Sequence, residues 1–341
     1  MKRIFCVFVL LFIAVFCSDS CGAAERVALM LEGADHEALP NSFNGICFSG
    51  LQKARERYGK RIQTKVYNAY GDGSSLAPLL RSASSESDLV IITSALYVPA
   101  LKEIKNDFPE CSYIVFDSLG VEGVTNIVFR EEEGGFLAGA LAALMTRQSG
   151  FERINGDKVI GIIIGENVPP TRRFCLGCRA GSWYISPDVK VLCEYTDSFT
   201  DSAKAAAAAA KLRAMGADVI FCAAGPASTG AVRNAERGGY WCIGVDSELE
   251  TEFPNAVLAS VVKRSGHVVL RAVESYMSGS LPKDSFSIGL AEGCIDISTW
   301  TREAKTNIPV DVRDAVDETA EKIKKGLIVI NDRSYSGITA D

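Results

Sequence analysis

Three charged residues stand directly after apolar runs: Asp117 after residues 112–116, Asp246 after residues 240–245 and Lys263 after residues 257–262. Short apolar runs with β-branched members read as buried strands, so each charge is set at a strand's carboxyl end. In an open parallel sheet that edge is where ligands bind. A carboxylate there can accept from two adjacent hydroxyls at once, and such charge-assisted hydrogen bonds are stronger than neutral ones. An ammonium there can donate to an oxygen. Without a ligand, the same aspartates would cap helices and Lys263 would make an ion pair between lobes. Phe221, Gly225 and Asp246 are expected to face one crevice as an aromatic plane, an approachable backbone and an acceptor. A second chemistry is offered by Cys175-Leu176-Gly177-Cys178, a thiol pair near what reads as a helix start, where the dipole lowers a thiol pKa. No second such pair exists to complete a four-thiolate zinc site. With two histidines, His36 and His267, and no nucleophile beside a base, the chain offers no catalytic set; no metal or cofactor is expected.

The elements that must position these residues alternate along the whole chain. Residues 217–246 read as strand, turn, helix and strand, with Gly225 and Pro226 breaking the first run and Gly238-Gly239 ending the helix. Before them, strands are expected at 26–31, 62–67, 88–93, 112–116, 126–129, 159–164 and 189–195. Helices are expected at 42–58, 76–84, 100–107, 131–145, 171–182 and 201–215, and a turn at 71–73. After them come strands at 257–262, 286–289 and 294–297, helices at 265–277 and 312–325, and a final strand at 327–330. This order predicts an α/β chain with largely parallel sheet, folded as two similar lobes around a crevice. Glu131, Glu132 and Glu133 read as a solvated helix start that suits the dipole.

The chain has 341 residues and a net charge of −6 without a basic stripe, which argues against nucleic acid as a partner. No apolar run beyond the N-terminus is long enough to cross a membrane. Lys2 and Arg3, the apolar run 4–16 and the small residues that follow form a signal peptide over residues 1–24, so the protein is exported to the periplasm or cell envelope. Cleavage after Ala23 or Ala24 and lipidation at Cys21 or Cys17 both remain open; a lipid anchor would be the one membrane contact. Eight cysteines follow the leader. Export permits disulfides, but Cys193, Cys222 and Cys242 sit inside apolar strands, where they read as small buried hydrophobes.

The segments SFNGICFSGL (42–51), REEEGGFLAGALAALMT (130–146), YTDSFTD (195–201), GADVIFCAAG (216–225), IGVD (243–246) and LASVVKR (258–264) occur in that order. Together they resemble the basic-membrane-protein family of exported substrate-binding proteins, the purine nucleoside receptor type, over essentially the whole mature chain. The resemblance implies a type I periplasmic-binding-protein fold, with two doubly wound parallel-sheet lobes, a hinge and an interlobe ligand crevice. One lobe would comprise residues 25–130 plus about 264–290, the other 131–263 plus about 291–341. It implies a monomeric solute receptor that delivers adenosine, guanosine or inosine to an ABC permease, and no enzyme. Carried over by position, Ser42, Phe43, Asn44 and Phe48 line the base site, with Phe48 the preferred stacking plane. Asp117 would accept from base nitrogens, Phe199 or Phe221 would supply the opposing aromatic, and Gly225, Asp246 and Lys263 would lie near the ribose. Where the family has an acidic pair before SFN, this chain has Leu39-Pro40-Asn41; Asn41, or Asp35 and Glu37 upstream, are the substitutes on offer. The glycine-rich turn is replaced by residues 225–230, and Ser247-Glu248 stands where a Gln is usual. These departures keep one alternative, a sugar or other small-solute receptor on the same fold, and the Cys175–Cys178 motif keeps another, a thiol–disulfide oxidoreductase.

Overall fold

The computed structural model describes residues 23–33, 35–70 and 74–330. The leader up to residue 22, both cysteines offered for lipidation and the turn at residues 71–73 lie outside the described residues. The first part of the chain runs β1 (Glu25–Glu32), α1 (Phe43–Tyr58), β2 (Ile62–Ala69), α2 (Leu76–Glu86), β3 (Leu89–Ile92), α3 (Val98–Ile104), β4 (Ser112–Phe116) and β5 (Thr125–Phe129). The middle runs α4 (Glu131–Thr146), β6 (Val159–Ile164), α5 (Pro169–Ile185), β7 (Lys190–Tyr195), α6 (Ser202–Ala214), β8 (Ala217–Ala223), α7 (Ser228–Gly238), β9 (Trp241–Asp246) and β10 (Val257–Lys263). Then follow α8 (Ser265–Met277), β11 (Ser285–Ile288), β12 (Ile295–Ile297), α9 (Arg302–Asn307) and α10 (Val310–Lys324).

Two six-stranded sheets result, ordered β2-β1-β3-β4-β5-β11 and β7-β6-β8-β9-β10-β12. Every pairing is parallel except that of β12 with β10. Central strands are buried on both faces, as in the all-buried runs of β6 and β8, because helices cover both sides. The chain passes between the sheets from β5 to α4, from β10 to α8 and from β11 to β12. Arg130 ties the first and last of these passages, donating to Ser287 O at 2.7 Å, Glu292 Oε2 at 2.6 Å and Glu133 Oε1 at 2.5 Å.

Helix ends follow local chemistry. The Ser42 hydroxyl accepts from Gly45 N to start α1, Asp201 accepts from Ala203 N and Lys204 N to start α6, and left-handed Gly239 closes α7. α4 and α5 cross with their backbones in contact. A Cβ on Gly135 or Gly139 would collide with the carbonyl oxygen of Phe174 or Cys178, and one on Gly177 or Gly181 with that of Glu132 or Phe136.

Two expectations need correction. Residues 327–330 are no strand: Leu327 N and Ile328 N bond back to Lys322 O after left-handed Gly326, so the segment finishes α10. Leu327 and Val329 are 73% and 67% exposed there, with no partner strand among the described residues. The acidic start of α4 is not solvated either, since Glu131 is 0% exposed.

Candidate functional site

A cavity of about 520 Å³ lies at the carboxyl ends of both sheets. From the first sheet it takes Glu32 at the end of β1 and Gly33 after it, the α1 start at Ser42, Phe43 and Asn44, Tyr70 after β2, residues 93–96 after β3, and Asp117 after β4. The second sheet contributes Glu166 and the start of α5, including Phe174, and residues 198–200 after β7. Ala223, Gly225 and Pro226 at the end of β8, Val245 and Asp246 of β9 and Lys263 of β10 complete it. The rule that ligand sites sit beyond carboxyl strand ends thus accounts for nearly every wall segment.

Asp117 and Asp246 both adopt left-handed backbone, φ 59° and 68°, at the point where their strands turn away. Aspartate tolerates that region better than most residues. Phe199 lies against Gly165 and Gly225; a Cβ on Gly225 would sit 3.5 Å from its ring. Asn44 is held in place, its Nδ2 donating to Glu32 O at 2.8 Å.

A buried ion network backs one wall, which it reaches through Asp117 and Lys263. Lys263, 4% exposed, donates to Glu131 Oε1 at 2.7 Å and lies 3.6 Å from Asp117 Oδ2. Its Nζ is 4.7 Å from the Phe43 ring centre and 4.3 Å from that of Phe129. Arg173 of α5 donates to Glu131 Oε2 at 2.6 Å and to Asp117 Oδ1 at 3.2 Å. Asp117 belongs to the first sheet and its cationic partners to the second, so the network spans the two. Burial pulls the Lys263 ammonium down, but Asp117 and Glu131 outweigh it and hold the charge above lysine's usual range. Burial pushes the Asp117 carboxyl up to about 6, opposed by Lys263, raised further by Glu131 and lowered by Arg173. The Asp246 carboxyl is pushed up to about 6 by burial, with Lys263 opposing.

Of the residues expected in the site, Ser42, Phe43, Asn44, Asp117, Phe199, Gly225, Asp246 and Lys263 line the cavity, while Asn41, Phe48 and Phe221 do not. Asn41 is exposed, ahead of the residue that caps α1. Phe48 sits five residues into α1, about 7 Å further from the cavity at the helical rise, packed on the core with the His36 ring at 4.5 Å. Phe43, at the helix start, lines the cavity. Phe221 is fully buried because β8 runs on to Ala223; its ring meets Phe174 edge-on at 5.8 Å inside the core. Between the two candidate opposing aromatics, the cavity therefore holds Phe199. Cys175 and Cys178 are not at a helix start, since α5 begins at Pro169, and Cys178 is fully buried. Sequence reasoning missed Glu32, Ser94 and Glu166, which follow strand ends as Asp117 does; the same signal would have found them. It also missed Glu131 and Arg173. Among the described residues, no group of three or more His, Cys, Asp or Glu is placed to hold a metal ion, and no helix is long and apolar enough to cross a membrane.

A family profile described as "ABC transporter substrate-binding protein PnrA-like" matches residues 25–333. Basic membrane protein A of Borreliella afzelii is 25% identical over 333 residues, 94% of this chain and 97% of that relative. An uncharacterized lipoprotein of Pyrococcus furiosus is 27% identical over 287 residues, 80% of this chain and 69% of that relative. The crystal structure of an ABC transporter system solute-binding protein from Aeropyrum pernix K1 superposes with a TM-score of 0.78 at 23% identity, over 90% of this chain and 94% of that chain. That likeness is one of fold, the two-lobed α/β architecture of type I periplasmic binding proteins.

Proposed function

The chain belongs to the PnrA-like family of ABC transporter substrate-binding proteins, and from that premise we propose that it binds a purine nucleoside in the cavity and delivers it to a membrane permease. One observation carries the reading: a single cavity brings together aromatic rings, Phe43 and Phe199 among them, strand-end carboxylates that include Asp117 and Asp246, and the buried Lys263 ammonium. In this reading Phe43 and Phe199 hold the base between them, and Asp117 reads its edge from the first sheet. Asp246 accepts from the ribose hydroxyls. The Lys263 ammonium has three donors; with one on Glu131, another is available to a ribose oxygen. About 520 Å³ is within the usual range of small-molecule sites. Stacking supplies affinity with little base selectivity, so selectivity comes from the buried polar groups, which are costly to leave unpaired.

The proposed lobes are residues 25–130 with about 264–290, and 131–263 with about 291–341, of which 331–341 lie outside the described residues; the grouping of the strands into two sheets supports this division. Closure is a hinge motion at the three passages between the sheets. The protein acts in the cell envelope, as the names of lipoprotein relatives suggest, released after Ala23 or Ala24 or anchored through Cys21 or Cys17.

A thermal-shift screen against nucleosides, free bases and sugars, after refolding to strip co-purified ligand, tests this. A ligand bound only by the folded state, at about one hundred times its Kd, adds about 2.7 kcal/mol of stability. A rise in Tm with adenosine, guanosine or inosine, and none with ribose or glucose, is the expected result. A response to sugars alone, or to none of these, overturns the nucleoside reading.

A further inference from the structure

The thiol pair that stands out in the sequence is not the pair that meets in space. Cys175 Sγ lies 3.9 Å from Cys193 Sγ, one on the second turn of α5 and the other on the edge strand β7. Cys178, three residues on, faces the closed interior with no exposed surface. Cys175 is 9% exposed and Cys193 is only part-buried, so an external reagent can reach this pair as it cannot reach Cys47, Cys178, Cys222 or Cys242.

The structure assigns Cys175 and Cys193 as a disulfide-forming pair that staples α5 to β7 behind the cavity wall. To bond, the two sulfurs must close from 3.9 Å to the bonded separation of about 2 Å. The oxidant is a disulfide, either of a dithiol oxidase or of oxidised glutathione. The Cys175 thiolate attacks one of its sulfurs, expels a thiolate and leaves a mixed disulfide. The Cys193 thiolate then displaces the second. Two protein thiols are oxidised, the incoming disulfide leaves as two thiols, and these take up the two protons. Cys175 is suited to attack first: its contact with the Cys193 thiol and the nearby Arg179 guanidinium draw its pKa below the usual thiol value against burial. The staple has a place in the site because α5 also carries Thr171 and Phe174, which line the cavity, and Arg173.

Trypsin releases Cys175 and Cys178 together in FCLGCR, residues 174–179, and Cys193 in VLCEYTDSFTDSAK, residues 191–204. After equilibration of the purified protein with oxidised glutathione and alkylation under denaturing conditions, the two peptides are expected joined, with one alkylated thiol left on Cys178. Closing this loop constrains the unfolded chain enough to raise Tm by about 5 °C over the reduced protein, and Cys193→Ser abolishes both the linkage and the difference. A Cys175–Cys178 bond, or free thiols in a buffer that oxidises ordinary surface pairs, overturns the assignment. The same map of protein exported by its own leader separates this from the functional reading. Linkage in the buffer but not after export upholds the pair and counts against an oxidising cell-envelope address.

Discussion

Replacing Lys263 by Met leaves the fully buried Glu131, and Asp117 at the cavity lining, short of a cation. Glu131 is 0% exposed and its Oε1 accepts from Nζ at 2.7 Å. Removing one partner of a buried pair costs about 3–5 kcal/mol, because the remaining charge is uncompensated. Arg173 stays 2.6 Å from Glu131 and 3.2 Å from Asp117, so the loss falls at the lower end, about 3 kcal/mol. The methionine thioether replaces the ammonium beside Phe43 and Phe129 with a sulfur–aromatic contact of similar size, which removes packing from the comparison. Equilibrium urea unfolding followed by circular dichroism should show a lower midpoint at unchanged slope. Adding Glu131→Gln removes the stranded carboxylate, and the double variant should regain about half of the loss. A single variant within about 1 kcal/mol of the parent, or a double variant that costs the sum of both changes, refutes this account of the network.

Three further outcomes are expected. Asp246→Ala should weaken nucleoside binding by about a hundredfold by calorimetry, the worth of charge-assisted hydrogen bonds, with an unchanged dichroism spectrum; retained affinity removes Asp246 from the site. Phe199→Ala should cost about 1–3 kcal/mol of binding as a lost stacking plane, whereas Phe48→Ala should lower Tm and leave affinity alone; the reverse pattern restores Phe48 to the site. Burial raises Asp117 and Asp246 to about 6, and Glu132 to about 7. A carboxyl whose folded pKa is raised binds its proton more tightly when folded, so these groups destabilise the fold above about pH 6 and cease to do so as pH falls toward their unfolded values near 4. Tm should therefore rise between pH 7 and pH 5, while affinity falls as Asp246 loses the charge that accepts from the ribose; parallel movement of both, or a flat affinity, contradicts the assignment.

The strand-end residues were legible because their signal is local. An apolar run closed by a charge marks both the element and its end, and Asp117, Asp246 and Lys263 all stand at the cavity. Depth along an element is a different quantity. Periodicity gives the face of a ring but not its level, so five helical residues separate Phe48 from Phe43 and two residues of strand bury Phe221. Glu131 is out of reach of any local pattern: its partners Lys263 and Arg173 are 132 and 42 positions away. An acidic helix start is ordinarily wet, and nothing nearby in the chain announces otherwise. The cysteines teach the same lesson, since a spacing of three suggested a pair and the true neighbour is 18 positions on.

Gly135, Gly139, Gly177 and Gly181 each answer to a carbonyl oxygen of the opposite helix and not to a solute. Any side chain there pushes α4 and α5 apart, and with them Glu131, Arg173 and Phe174. The run GGFLAG at residues 134–139 is thus a joint, cut to fit one neighbour whatever the cavity holds. A descendant of this chain can trade its cargo by changing the residues that close its strands, and leave that joint untouched. Scaffold and cavity are thus written in different letters of the chain: the glycines seat one helix on the other, and the strand ends line the space between the sheets.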